Sequence, residues 1–167
     1  MFTNLEYLNL NNNSIEDISP ISKLYKLQDL RIKDNNIRDI SPISYLTNLT
    51  RLSIGGNRIK DISSLYRLTK VTQLYIRENP IEDIEVLSIM TNLVWLTAYK
   101  CQIRNIDSLS SCHLLEHVSI YDNTRIEDIS PLFNLGNLKE IKITNLSIPK
   151  WQKDKIRSLF PNAYIDL

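Results

Sequence analysis

LQDLRIKDNNIRDISPISYLTN, residues 27–48, is one copy of a pattern that fills most of this chain. The same order of residue types restarts at Leu5, Leu27, Leu49, Val71, Leu93, Leu115 and Leu138. The interval is 22 residues up to Leu115, and the next interval is 23. Such a fixed period is typical of a solenoid, in which no repeat buries its apolar face without its neighbours. We therefore predict that residues 1–148 form about seven stacked repeats around one thin, continuous core.

Each copy contains the pattern of a short strand followed by a tight turn. Leu27, Leu30 and Ile32 occupy its first, fourth and sixth positions, and this alternation is typical of a strand with one buried face. Identical strands one repeat apart stack as a parallel sheet. Ser41-Pro42 predicts an N-cap and the first residue of a short helical turn. The predicted fold is an α/β solenoid, a right-handed superhelix with a concave parallel sheet and 3-10 helical turns on the convex side.

Two polar columns accompany the apolar ones. An Asn column comprises Asn13, Asn35, Asn57, Asn79 and Asn123, with Cys101 in the place of one Asn. We expect these side chains to bond backbone groups of adjacent coils, which an inward bend would otherwise leave unpaired. An Asp column comprises Asp17, Asp39, Asp61, Asp83 and Asp128. Single acids one repeat apart lie along one rim and do not converge, so we expect local turn bonding and no metal or catalytic site.

The pattern changes at both ends. PKWQKDKIRSLF, residues 149–160, is typical of an amphipathic helix that begins at a proline. We predict that residues 149–167 form a C-terminal cap of one helix and one strand. Residues 1–4 match the end of a repeat, which predicts an N-terminal end without a cap. Such an end exposes core, so we expect a partner to cover it or a second copy of the chain to associate with it.

Composition excludes several classes of partner. Lys and Arg together number 20, and Asp and Glu together number 19. The resulting net charge of +1 provides no excess of positive charge to attract nucleic acid or an acidic membrane. No apolar run approaches the roughly 20 residues that membrane insertion requires. Cys101 and Cys112 are predicted to be buried thiols, and no spacing predicts a cofactor or a metal.

Catalytic residue types are sparse. The chain has two histidines, His113 and His117, and no Ser or Cys nucleophile pairs with His117 in the predicted geometry. Glu116 is beside His117 in sequence, but it is predicted to point to the other strand face. We therefore predict that the protein is not an enzyme and has no catalytic residues.

The concave face carries the most informative residues, because side chains there have no duty in the core. Its third, fifth and seventh repeat positions supply the predicted partner-binding residues Arg51, Tyr75, Arg77, Trp95, Tyr99, His117 and Tyr121. Tyr, Trp and Arg are enriched at binding hot spots. The alternative is that exposed aromatics simply suit strands and cover their own sheet. Gly55-Gly56 is either a bare spot for a protruding partner group or a turn adjustment.

The consensus LxxLxLxxNxIxDISPLxxLTN resembles the 22-residue leucine-rich repeat of the internalins, bacterial surface adhesins, over residues 5 to about 148. The resemblance implies a non-catalytic module, adhesin or scaffold, that binds a protein or peptide on its concave face. Two alternatives stay open: an intracellular regulatory or assembly scaffold that self-associates through its N-terminal end, and carbohydrate recognition by the aromatic patch. Location at the surface is implied if a signal and cap precede Met1, and in the cytoplasm if Met1 is the true start.

Overall fold

One parallel sheet runs the length of the molecule. The structure is a computed structural model and describes residues 4–167. Its strands, in sheet order, are β1 (Tyr7–Asn9), β2 (Asp29–Arg31), β3 (Arg51–Ser53), β4 (Gln73–Tyr75), β5 (Trp95–Thr97), β6 (His117–Ser119), β7 (Glu140–Lys142) and β8 (Tyr164–Asp166). All neighbours are parallel, and Leu30 of β2 is opposite Leu52 of β3. Because this register is kept throughout, residues at one repeat position form a straight column across the sheet. The repeat end predicted at residues 1–3 lies outside the described residues.

The opposite side of each coil is a short 3-10 helix. These helices are Ser19–Ile21, Ser41–Tyr45, Ser63–Arg67, Glu85–Ile89, Asp107–Ser111 and Ser130–Leu132. The predicted Ser N-cap is wrong, because Ser41 is the first helical residue and Ile40 occupies the N-cap position. Asp39 does the capping instead, since its carboxylate accepts hydrogen bonds from the Ser41 N–H at 2.8 Å and from the Ser41 hydroxyl at 2.9 Å. The predicted turn-bonding role of the Asp column is thus present in the structure.

The core is a continuous stack of Leu and Ile columns between the sheet and the 3-10 helices. Leu27, Leu30 and Ile32 are fully buried, as are their equivalents in the next repeats. At the N-terminal end, Leu5 and Leu8 are only partly buried against this stack. Each coil therefore depends on its neighbours for burial, as the repeat predicts.

The Asn column ties successive coils together. The Asn57 side-chain amide donates to the carbonyls of Ile32 at 3.0 Å and Ile54 at 2.9 Å, and its oxygen accepts from the N–H of Ile37 at 3.0 Å. A third acceptor, the Gly55 carbonyl, is 3.2 Å away. One buried side chain thus satisfies backbone groups in two coils, which would otherwise be unpaired in a dry bend.

Just before the Asn-column position of each repeat, which is Cys101 in the fifth and Leu146 in the seventh, the chain enters the left-handed region. The residues concerned are Asn12, Asp34, Gly56, Glu78, Lys100, Asp122 and Asn145, with φ between 51° and 64°. Asn, Asp and Gly tolerate this conformation, whereas Glu78 and Lys100 adopt it at an energetic cost. Repeats four and five therefore carry backbone strain that the other repeats avoid.

The C-terminal end of the stack is closed by α1 (Lys150–Leu159) and β8. Ile156 of α1 is fully buried, and Gln152 is buried with its oxygen accepting from the N–H of Ile129 at 2.8 Å. The Gln152 amide also donates to Asp128 at 2.6 Å. We propose on these contacts that residues 149–167 act as the cap of the repeat stack.

We expect Asn57→Ala to lower the free energy of unfolding by about 3 kcal/mol, because it strands several buried backbone groups that cost about 1–3 kcal/mol each. Urea unfolding followed by circular dichroism measures this. Asn13→Ala is the matched control, because the side chain of the exposed Asn13, among residues 4–167, bonds only within its own turn, to Leu10 and Asn11. Equal losses in the two variants would contradict the role given to the buried column.

Cys101→Asn is expected to stabilise the fold by about 1 kcal/mol, the usual net gain from restored hydrogen bonds. Within the described part of the chain, the Cys101 thiol makes only long contacts of 3.6 Å, to the carbonyls of Ile76 and Tyr99. The Ile81 N–H, which an Asn at position 101 would bond, donates instead to the carbonyl of Asn79. Cys101→Ala controls for loss of the thiol. A lower urea midpoint for Cys101→Asn than for Cys101→Ala would refute the prediction.

Candidate binding site on the concave face

Side chains of the third, fifth and seventh repeat positions stand on the concave face. In each central strand the middle residue is buried and the flanking two are half-buried, as in β4, β5 and β6. The period of two places the flanking side chains away from the core. All seven predicted partner-binding residues lie on this face or at its edge, and all seven are half-buried.

The aromatic residues form two stacked pairs. Trp95 and His117 face each other in register, with ring centroids 4.0 Å apart and an interplanar angle of 23°. Tyr99 and Tyr121 stack at 4.4 Å and 11°. Neighbouring strands are about 4.8 Å apart, so equal repeat positions bring rings to nearly stacking distance.

A depression lies between the two pairs. Its floor is formed by Thr97 and Ser119, the small residues at the fifth position, and its volume is about 240 Å³. Glu140 and Lys142 close it on the C-terminal side. The Thr97 hydroxyl is buried and has no hydrogen-bond partner among residues 4–167. The face therefore has a recess with aromatic sides and two small polar residues in its lining.

Arginines extend the patch toward the N-terminal side. The Arg51 guanidinium lies 4.8 Å from the centroid of the Tyr75 ring, and that of Arg77 lies 5.7 Å from the Tyr99 ring. Such cation–π contacts hold both groups against the sheet. Arg77 also pairs with Glu78. The seven predicted residues thus form three groups of contacts on one face: Arg51 with Tyr75, Trp95 with His117, and Arg77 with Tyr99 and Tyr121.

His117 lies between two carboxylates. Its Nδ1 is 3.1 Å from Glu140 Oε2, and its Nε2 is 3.9 Å from Glu116 Oε2. The prediction that Glu116 points away is therefore wrong, because its flexible side chain curls over the strand edge toward the imidazole. The bond from Lys142, and then that from His117, hold the pKa of Glu140 below its ordinary value, although burial opposes them.

The Gly55-Gly56 segment is not an open spot. A Cβ on Gly55 would lie 2.8 Å from Cγ of Arg77, and one on Gly56 would lie 2.1 Å from Oδ1 of Asp34. Gly56 also has a φ of 64°. The glycines serve the turn and give room to neighbouring side chains, so the bare-spot interpretation is wrong.

Comparison with known proteins fits this geometry. The sequence matches the family model for leucine rich repeats (2 copies) over residues 3–45, 47–88 and 91–134. The chain belongs to the leucine-rich repeat family. Proteins of this fold are interaction modules, and the internalin-like type is typically non-catalytic. A comparison with curated proteins found no match.

Solved leucine-rich repeat structures confirm the predicted resemblance to internalins. An internalin, InlF, from Listeria monocytogenes has 31% identity and a TM-score of 0.93 over 98% of this chain, which spans 47% of InlF. Internalin C2 of the same organism has 26% identity and a TM-score of 0.68, with 97% of this chain and 79% of that one covered. The ectodomain of the Arabidopsis thaliana receptor kinase GASSHO1/SCHENGEN3, solved with Casparian strip integrity factor 2, shares the fold at 24% identity and TM-score 0.76, covering 95% and 20%.

Two surface features of this leucine-rich repeat lie off the predicted face. Tyr45 and Tyr66 on the 3-10 helical side are 57% and 53% exposed, and the Arg67 guanidinium lies 5.7 Å and 5.1 Å from their ring centroids. A groove of about 690 Å³ also opens beside Pro80 and Val86. The strand columns from which the concave face is predicted do not include these turn positions, although the tyrosines are visible in the sequence.

The groove coincides with an interruption in the backbone bonding. In most other coils the residue after the Asn-column position donates its N–H to the previous coil, as Arg58 does to Ile37 and Gln102 to Ile81. Pro80 has no N–H to donate to Ile59. The coils are therefore tied less tightly at this edge of repeat four.

Metal and membrane features are absent from the part of the chain that the structure describes. Residues 4–167 contain no cluster of three or more His, Cys, Asp or Glu that could hold a metal ion. Within the same range no helix has the length and apolarity to cross a membrane.

Burial, and then the neighbouring Tyr99, raise the pKa of Tyr121 to about 12 from an ordinary 10.0. Folding therefore disfavours the phenolate, and the stability that Tyr121 contributes below pH 10 is expected to be lost as the pH rises through about 12. The ¹³Cζ shift of Tyr121, measured against pH in native and urea-unfolded protein, checks this. Tyr99→Phe should lower the pKa of Tyr121 in the native protein part of the way toward its ordinary value. A titration midpoint near 10 for Tyr121 in the native protein would contradict the stacked geometry.

Proposed function

We propose that the protein is a non-catalytic interaction module, an internalin-like adhesin or scaffold, that binds a protein or peptide on its concave face. Trp95, Tyr75, Tyr99 and Tyr121 are the anchors, with Arg51, Arg77 and His117 around them. The observation that carries the proposal is the pair of aromatic stacks beside a recess, on a face that the fold itself does not need. Large, half-buried aromatics bring contact area at little rotamer cost.

The charges of the face support a protein partner over a polyanion. Basic residues alternate with acids and pair with them, as in Arg31–Asp29 and Lys142–Glu140. A phosphate track needs a run of unpaired cations. Mixed, paired charges instead match the surface of another protein, where complementary charges set orientation.

A sugar ligand fits the recess less well than a side chain. Carbohydrate hydroxyls are bound by several converging carboxylates and amides. Glu140 is the carboxylate at the recess, and it is already engaged by Lys142 at 2.7 Å and His117 at 3.1 Å. The Thr97 and Ser119 floor is better suited to a protruding apolar group that carries one polar atom.

We expect Trp95→Ala combined with Tyr121→Ala to weaken partner binding at least tenfold, because loss of hot-spot aromatics commonly costs 2 kcal/mol or more. The probe is a set of peptides selected from a phage-displayed library of random 12-residue sequences panned on the protein. Isothermal titration calorimetry with the synthetic peptides gives the affinities.

Tyr66→Ala is the matched control for this experiment, because Tyr66 is an exposed aromatic on the opposite, 3-10 helical side. Circular dichroism and urea unfolding verify that each variant is folded. Selected peptides that lose affinity with Tyr66→Ala and keep it in the Trp95 and Tyr121 double variant would place binding on the convex side and overturn the proposal.

A further inference from the structure

One concave arginine lacks the acidic partner that the other concave bases have. The pairs on and beside the face are Arg31–Asp29, Lys33–Asp34, Arg77–Glu78, Lys100–Glu78, Lys139–Glu116 and Lys142–Glu140. Among residues 4–167, Arg51 forms no ion pair. The positive charge of Arg51 is therefore the one on this face that a partner can neutralise without breaking an existing pair.

The acid closest in register is already occupied. Asp29 of β2 is directly opposite Arg51 of β3. Both Asp29 oxygens, however, accept from Arg31 on their own strand, Oδ1 from Nε at 3.1 Å and Oδ2 from Nη2 at 2.7 Å. A bidentate pair of this kind is strong and geometrically fixed, so Asp29 does not turn toward Arg51.

The Arg51 guanidinium is held in place before any ligand arrives. Nη1 donates to Gln73 Oε1 at 2.7 Å, and the ring of Tyr75 supports the guanidinium plane at 4.8 Å. The Tyr75 hydroxyl donates to the same Gln73 oxygen at 3.1 Å, which fixes Gln73. Nε is buried without a partner, and Nη2 makes no hydrogen bond within the described residues. The guanidinium is thus positioned with bonding capacity that the chain does not use.

We propose that Arg51 binds a carboxylate of the partner, so that the concave face selects an Asp or Glu close to the apolar group that docks at Trp95. This inference rests on the proposed function of the face. A planar guanidinium with a free N–H end is suited to a carboxylate, and preorganisation reduces the entropy lost on binding.

The register sets the spacing of the two anchors. Arg51, Gln73 and Trp95 occupy one row on β3, β4 and β5, so Arg51 and Trp95 are two strand spacings apart, about 10 Å. A segment in polyproline II conformation returns to the same side every three residues and advances about 9 Å. The favoured ligand is therefore an extended segment with an acidic residue three positions from an aromatic or leucine.

The test uses the same phage-displayed library, panned on the wild-type protein and counter-selected on Trp95→Ala. Enriched peptides are expected to carry Asp or Glu three positions from an aromatic or leucine. Their synthetic forms should bind Arg51→Gln at least tenfold more weakly than wild type, with Arg51→Lys intermediate because a lysine cannot form the planar fork. Replacing the Asp or Glu of the peptide by the corresponding amide should weaken binding to the wild-type protein by the same factor. The amide peptide should then bind Arg51→Gln no more weakly than it binds the wild-type protein.

Arg38→Gln is the charge-matched control, since Arg38 is exposed outside the strands and forms none of the ion pairs of the described chain. It should bind like wild type. Peptides that need Trp95 but lack the acid, or that bind Arg51→Gln unchanged, overturn this inference and leave the proposed function standing. A library that yields no peptide dependent on Trp95 overturns both. Urea unfolding of each Arg51 variant separates loss of binding from loss of fold.

Discussion

The inward bend after each strand is the constraint on which the rest of the molecule depends. There the chain takes a left-handed residue and turns its carbonyls toward a dry core, as at Gly56 and Asn57. The Asn57 amide satisfies the carbonyls of Ile32 and Ile54 and the N–H of Ile37, so two coils share one side chain. Because an unpaired buried group is costly, the bend cannot slip by one residue without losing these bonds. The same bonds therefore fix the register of the sheet.

Register is what brings the variable residues together on the proposed binding surface. Neighbouring strands are about 4.8 Å apart, so two aromatic rings at the same repeat position of adjacent strands lie at stacking distance from each other. Trp95 and His117 use the third position, and Tyr99 and Tyr121 use the seventh. The repeat that contributes Trp95 and Tyr99 is also the one in which Cys101 replaces the bonding Asn. One of the two repeats that supply the aromatic stacks thus lacks the Asn bonds, in line with the general exchange of stability for function.

The sequence predicts which repeat position, and therefore which face, a residue occupies, but it does not predict which partner a flexible side chain contacts. Periodicity alone places Leu30, Asn57 and Trp95, because each position inherits its environment from the repeat. It does not say which of two nearby partners a flexible side chain takes. Asp29 could serve Arg31 or Arg51, and Glu116 could face either way from its strand. These outcomes follow from competition between contacts of similar energy, which a pattern of residue types does not encode. The filled space at Gly55-Gly56 belongs to the same class, since it depends on where the Arg77 stem lies.

Charged residues of this face that already form ion pairs with one another can contribute little to the free energy of binding. An ion pair formed before the partner arrives gives little on binding, since its Coulomb gain is already made and its desolvation still costs energy. Lys142–Glu140 and Arg31–Asp29 are of this kind. On the proposed function, the net gain is then left to the aromatic stacks and to Arg51, all between β3 and the end of β6. The outer strands would act mainly to hold that central area in register, so that repeats alike in sequence could carry a proposed site confined to a few of them.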